Sequence, residues 1–140
     1  MKPSFLNTLK SEEIGMNSGR TIHRLLDDLV FQCENEHLII IPKGFQTDLA
    51  SVPRVPIVFM MWGDRAHRPA VLHDYLYRTN SVPLLKRAEA DLLFKIAIIS
   101  TDEPWYVSRP MWLGVRAGGC SAYHKFPVGH EYITAISQIL

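Results

Sequence analysis

Apolar residues follow different patterns in the two halves of this chain, and that difference constrains the fold more than any other feature. Upstream they come in short runs, Leu29-Val30-Phe31 and Leu38-Ile39-Ile40-Ile41, separated by Glu34-Asn35-Glu36. Short runs rich in β-branched and aromatic residues on either side of a polar turn predict a β-hairpin. Pro42 ends the second strand, because proline has no N–H for the ladder. Downstream the spacing becomes helical. Pro69 suits a first helical turn and predicts a helix over Pro69 to Arg78. Ser81 as N-cap, with Pro83 in the first turn, predicts a second helix running to Ile99. Ser108-Arg109-Pro110 predicts the start of a third, ended by Gly118-Gly119. The expected class is α+β: a small antiparallel β-sheet or hairpin, then a helical half containing an antiparallel helix pair.

A chain of 140 residues fits one domain, 1–140, with a genuine core. Within it, residues 1–20 read as an arm, 21–54 as the β-rich part with its following loop, and 65–118 as the helical part. Residues 123–140 read as an extended piece and a terminal helix. The hydrophobic fraction of 47% against 21% charged residues is that of a globular chain, not a disordered one. A net charge of +1 gives no global attraction to nucleic acid, so none is expected as a partner. Two cysteines, Cys33 and Cys120, are too few for a disulfide scaffold. The N-terminus lacks an apolar run long enough for a signal peptide, and Val55 to Trp62 is too short to span a bilayer. The expectation is a soluble protein without a transmembrane segment.

Chemistry concentrates in His73-Asp74-x-x-Tyr77 and in Asp91 of Ala90-Asp91-Leu92-Leu93-Phe94. On a helix His73 and Tyr77 share a face, while Asp74 is turned by about 100° from His73. A short connection lets the two helices pack antiparallel, which would bring Asp91 against His73. A carboxylate behind an imidazole orients it and favours its protonated form, as a general base requires. Asp91 interrupts an apolar stretch, so it sits at the core boundary, where a carboxylate needs a partner. The bland alternative is that His73, Asp74, Tyr77 and Asp91 form an ordinary structural polar set.

The loop Gly44 to Arg54 supplies two candidate contacts, Asp48 and Arg54. Asp48 is a candidate metal or histidine partner, and a structural ion pair between the two is the plainer reading. His67 lies six positions before His73, outside the i, i+4 geometry of a helical metal pair, and Pro69 is expected to leave it outside the helix. Trp105, Tyr106 and Trp112 are expected to close the core. No Gly-x-Ser-x-Gly elbow, phosphate-binding glycine loop, His-Glu-x-x-His pair or Cys-x-x-Cys is present. Cys33 has no basic neighbour in sequence to activate a thiolate.

Gly44-Phe45-x-Thr47-Asp48-x-Ala50-Ser51-Val52-Pro53-Arg54, taken with His73-Asp74-x-Leu76-Tyr77 and Ala90-Asp91-x-x-Phe94, resembles a phage- and prophage-encoded family of unknown function over roughly residues 25–117. That resemblance implies a viral origin, residence in the host cytoplasm or the virion, and no established reaction. Across residues 69–97 the His73, Asp74, Tyr77 and Asp91 spacing is also similar to the helix pair of phospholipase A2 enzymes, nearest the disulfide-free form in a parvovirus capsid protein. This second resemblance implies that His73 activates water, Asp74 binds a divalent cation (calcium), and Tyr77 and Asp91 hold the histidine. Those enzymes complete the calcium shell from a glycine-rich loop just before the histidine helix. Here Val55 to Gly63 holds a single glycine. The order His67, His73, Asp74, Asp91 also resembles that of metal phosphohydrolases, at a tighter spacing.

The leading expectation is therefore a phage-encoded, hydrolase-like protein with a His73–Asp91 dyad, acting as a metal-assisted esterase on a phospholipid acyl ester. The rival is a non-enzymatic virion or assembly protein, partnered by other phage structural proteins, in which the same residues form a structural polar network.

Overall fold

The computed structural model describes residues 2–17, 19–47, 67–101, 105–118 and 123–132. Six strands precede three helices in the described chain. The strands are β1 (Ser4–Phe5), β2 (Ser11–Asn17), β3 (Arg20–Leu25), β4 (Leu29–Gln32), β5 (Leu38–Ile41) and β6 (Gln46–Thr47). The helices are α1 (His67–Leu76), α2 (Arg87–Ser100) and α3 (Trp105–Gly118). Two antiparallel sheets result, in the orders β1-β4-β5 and β2-β3-β6. The fold is α+β, with strands before helices, as the two apolar patterns predict.

The expected hairpin is β4–β5, with Leu29 opposite Ile41 and Phe31 opposite Ile39. These four side chains are buried, whereas Leu38 and Ile40 face outward, so the period-2 alternation of the pleat decides which residues enter the core. Residues 4–17 correct the reading of an arm. β1 joins the hairpin through Phe5 opposite Phe31, whose rings meet edge-on at 4.9 Å. β2 pairs along the whole of β3, with a bulge between Glu13 and Gly15. Gly15 takes φ 147°, which a β-carbon would strain, and this is where the ladder gains its extra residue. β2 opens on three consecutive polar residues, Ser11-Glu12-Glu13, and holds only Ile14 and Met16 as large apolar residues, so its sequence carries little apolar signal.

α1 is buried at every position from Pro69 to Leu76. It is a central helix, covered on all sides, and its core contacts reach Leu25, Leu29, Phe31, Ile39, Ile41 and Phe45 from both sheets. Its start corrects one expectation: His67 lies inside the helix, because Pro69 is in the first turn, where its missing N–H has no helical partner to lose. α2 begins later than expected, at Arg87. Ser81 does not cap it; its hydroxyl donates back to Leu76 O and Pro83 O, and Val82 N donates to the Tyr75 hydroxyl at 3.1 Å. Those bonds tie Ser81–Pro83 to the end of α1, and the N-cap passes to Lys86, whose N–H donates to Glu89 Oε1. α3 begins earlier than expected, at Trp105, with Pro110 inside it and exposed. Ser108, Met111 and Val115 form its buried face; Trp112 is half-buried, and the side chains of Trp105 and Tyr106 lie outside the description. No described helix is long and apolar enough to cross a membrane.

Candidate functional site

The last turn of α1 and the two residues that follow it carry two i, i+4 pairs on adjacent faces, and each face binds a different part of the molecule. His73 and Tyr77 face α2; Asp74 and Arg78 face β6 and the segment 123–132. α2 contributes Asp91 from a stripe of Ala90, Asp91, Phe94, Ala97 and Ile98, all buried. Tyr77 meets Asp91, while His73, one turn earlier, also packs on Phe94, so contacts advance along α2 as they retreat along α1. The helix pair is antiparallel.

His73 Nε2 lies 2.8 Å from Asp91 Oδ1, and both side chains are 0% exposed. The Tyr77 hydroxyl donates to the same oxygen. Asp91 Oδ2 accepts from Arg116 Nη1 at 3.0 Å, and Arg87 Nε stands 4.0 Å away. Arg87 in turn donates through Nη2 to Val115 O and Arg116 O, capping the last turn of α3 and fixing the helix that presents Arg116. Burial by itself would push the Asp91 carboxyl up; the hydrogen bonds from His73, Tyr77 and Arg116 outweigh it and hold Asp91 below the ordinary range. Burial pushes the Tyr77 phenol far up, and the adjacent Asp91 charge adds to the shift. An ionised Asp91 fixes the imidazole tautomer: Nε2 carries the proton and Nδ1 of the neutral ring carries the lone pair. The ring packs against Tyr77 at 4.1 Å and Phe94 at 4.7 Å, centroid to centroid. His73 Nδ1 is buried and has no hydrogen-bond partner among the described residues.

Asp74 points elsewhere, as the helical rotation predicts. Its Oδ2 accepts from Arg78 Nη2 at 3.0 Å, and both are buried. The same guanidinium donates to Gln46 O and the Tyr132 hydroxyl and lies over the rings of Phe45, Phe126 and Tyr132. Burial works against its charge, but Asp74 overcomes this and raises the Arg78 pKa above its ordinary value. Asp48 and Arg54 lie outside the described residues. His67, His73, Asp74 and Asp91 do not assemble into one cluster: among the described residues no three His, Cys, Asp or Glu side chains come together as a metal group would require. Cys33 is a half-buried free thiol, made less acidic by burial.

Sequence reasoning missed three arginines. Arg87 stands four residues before Asp91, a helical ion-pair spacing readable in advance. Arg116 follows Val115 on the face of α3 that meets α2, a placement that depends on where α3 begins. Arg78 repeats the His73–Tyr77 spacing one residue later, a signal visible only if Asp74 is read as needing a cation.

Fold and site together define a small α+β protein organised around a buried histidine–aspartate–tyrosine network closed by two arginines. The chain belongs to the family described as "Protein of unknown function (DUF1353)", matched over residues 23–115. That span includes His73, Tyr77, Arg87 and Asp91 and stops one residue short of Arg116. No curated protein and no solved structure matches the chain.

Proposed function

We propose that the chain is a phage-encoded, hydrolase-like protein in which His73 acts as general base on a carboxylic ester of the phospholipid acyl kind, in the host cytoplasm or the virion. The observation that carries this reading is the division of labour on one imidazole ring: Nε2 is held by Asp91 while Nδ1 is left without a partner. Water at Nδ1 would give up its proton there as its oxygen attacks the ester carbonyl. The proton then passes to the departing alkoxide as the C–O bond breaks, leaving an alcohol and a carboxylic acid that ionises to water. Asp91 stabilises the imidazolium in between and Tyr77 fixes Asp91; both are positioning residues. The calcium implied at Asp74 does not fit the described residues: that carboxylate is buried and paired with the Arg78 guanidinium, and calcium needs about six or more oxygen ligands.

The test is fatty-acid release from phospholipid vesicles by the purified full chain, with calcium and with chelator, alongside His73→Ala. Turnover abolished by His73→Ala supports the reading. Absence of turnover under both conditions overturns it.

A specific observation favours a second reading, a virion or assembly protein held together by a structural network. His73 and Asp91 are 0% exposed and Tyr77 is 1% exposed, which is where a core-specifying network belongs. In that case His73→Ala lowers the melting temperature with no turnover to lose, and the protein is recovered stoichiometrically in purified particles.

A further inference from the structure

β5 is an edge strand: it pairs with β4 and with no other described strand. The hydrogen-bond pattern tells which of its backbone groups are open. Cys33 N donates to His37 O, so 33/37 is a bonded pair of the antiparallel ladder, and the alternation makes 31/39 and 29/41 bonded pairs too. Leu38 and Ile40 therefore turn their N–H and C=O groups away from β4. Their side chains are also outward, 51% and 47% exposed. Backbone and side chain thus offer the same two residues to a partner, the arrangement by which an apolar edge recruits another strand.

We propose that this edge is the docking surface for a second copy of the chain, joined β5 to β5 in antiparallel register about a twofold axis at Ile39. The register follows from the open groups. Leu38 of one copy stands opposite Ile40 of the other, each such pair exchanges both its hydrogen bonds, and the axis generates the second pair. The two three-stranded sheets then form one continuous sheet. Exposed Leu38 and Ile40 pack on each other across the junction.

Charge complementarity favours a second copy over an unrelated strand. The turn before β5 exposes Glu34 and Glu36, and the segment after it exposes Lys43. Antiparallel pairing about Ile39 sets the acidic turn of each copy beside Lys43 of the other, twice per dimer. Asp28, whose Oδ1 accepts from Lys43 N, is exposed at the same corner and moderates this attraction. A parallel register would place like ends together and lose the match.

Sedimentation of the full chain over a concentration series, up to about 1 mM because a short ladder gives a weak dimer, tests the proposal. The expected result is a shift from the 16.0 kDa monomer toward twice that mass, with no larger species. Leu38→Lys with Ile40→Lys should abolish it while leaving the melting curve unchanged, since both side chains are exposed. Lys43→Glu should weaken association about tenfold, and adding Glu34→Lys and Glu36→Lys to that variant should restore it. A monomer at every concentration, a dimer indifferent to the double lysine variant, or charge variants without rescue would each overturn it.

Discussion

Removing the Asp91 carboxylate should be the most damaging single change to the polar network, and the structure orders the neighbouring changes beneath it. Asp91→Ala leaves His73 Nε2 and the Tyr77 hydroxyl without an acceptor, both inside the core. A buried donor left unsatisfied costs about 1–3 kcal/mol. Arg116, whose side chain is 35% exposed, can turn to water and adds little. The sum is about 4 kcal/mol, in line with the ~3–5 kcal/mol for breaking a buried ion pair. Asp91→Asn keeps an oxygen toward His73 and Tyr77 but turns its amide N–H2 to Arg116, donor against donor; about 2 kcal/mol is expected. Tyr77→Phe deletes one donor and leaves Asp91 satisfied by His73 and Arg116, about 1–1.5 kcal/mol. Urea unfolding followed by circular dichroism, with slopes checked for equality, measures the series. Asp91→Ala within about 1 kcal/mol of the parent, or milder than Tyr77→Phe, would mean that Asp91 is not the shared acceptor and would refute the reasoning.

Asp91 titrates below its ordinary 3.8 in the fold, so on acidification the unfolded chain takes up its proton first. Its stabilising contribution should be complete above that value and lost as pH falls below it; Asp91→Asn should flatten the pH dependence of the urea midpoint below about pH 4 relative to the parent. Tyr77 has the opposite sign: its phenol keeps its proton in the fold after the unfolded value of 10.0 is passed, so stability should decline as pH rises above it. Ultraviolet phenolate titration should show a tyrosine that ionises only on unfolding and disappears in Tyr77→Phe. Arg78→Ala strands the buried Asp74 carboxylate and should cost about 3–5 kcal/mol, partly recovered by adding Asp74→Ala. Melting curves of the two singles and the double decide it.

What was legible in the sequence follows the range of the forces involved. The β4–β5 hairpin and the His73, Tyr77 and Asp91 juxtaposition rest on local periodicity plus one short connection, and such contacts can be read from spacing alone. β1 and β2 were not legible, because a half-exposed strand such as Ser-Glu-Glu-Ile-Gly-Met-Asn has almost no apolar alternation and owes its conformation to pairing with β3. The start of α2 was misread because Ser81 and Pro83 have strong N-terminal propensities that the Tyr75 hydroxyl and the end of α1 override. Of the arginines, Arg116 was missed for a tertiary reason: it reaches Asp91 from α3, through the packing of that helix on α2.

The unpartnered His73 Nδ1 is what separates the two functional readings in energetic terms. A network selected only for core stability would supply that nitrogen with a donor or replace the ring, because burying it unpaired costs about 1–3 kcal/mol. Every other polar atom of the three-residue set is engaged: Asp91 by both oxygens, Tyr77 by its hydroxyl, His73 by Nε2. At His73 the deficit falls on the atom that a general base must keep free; Arg78 Nε, Arg87 Nε, Trp112 Nε1 and His124 Nε2 are buried without a hydrogen-bond partner among the described residues as well. Catalytic sites carry such local costs, which the surrounding packing offsets. Around this ring Tyr77 and Phe94 pack on the imidazole, and Arg87 and Arg116 close the far side of Asp91. The same packing that suits a structural core therefore also holds the imidazole in the single orientation from which Nδ1 can accept a proton.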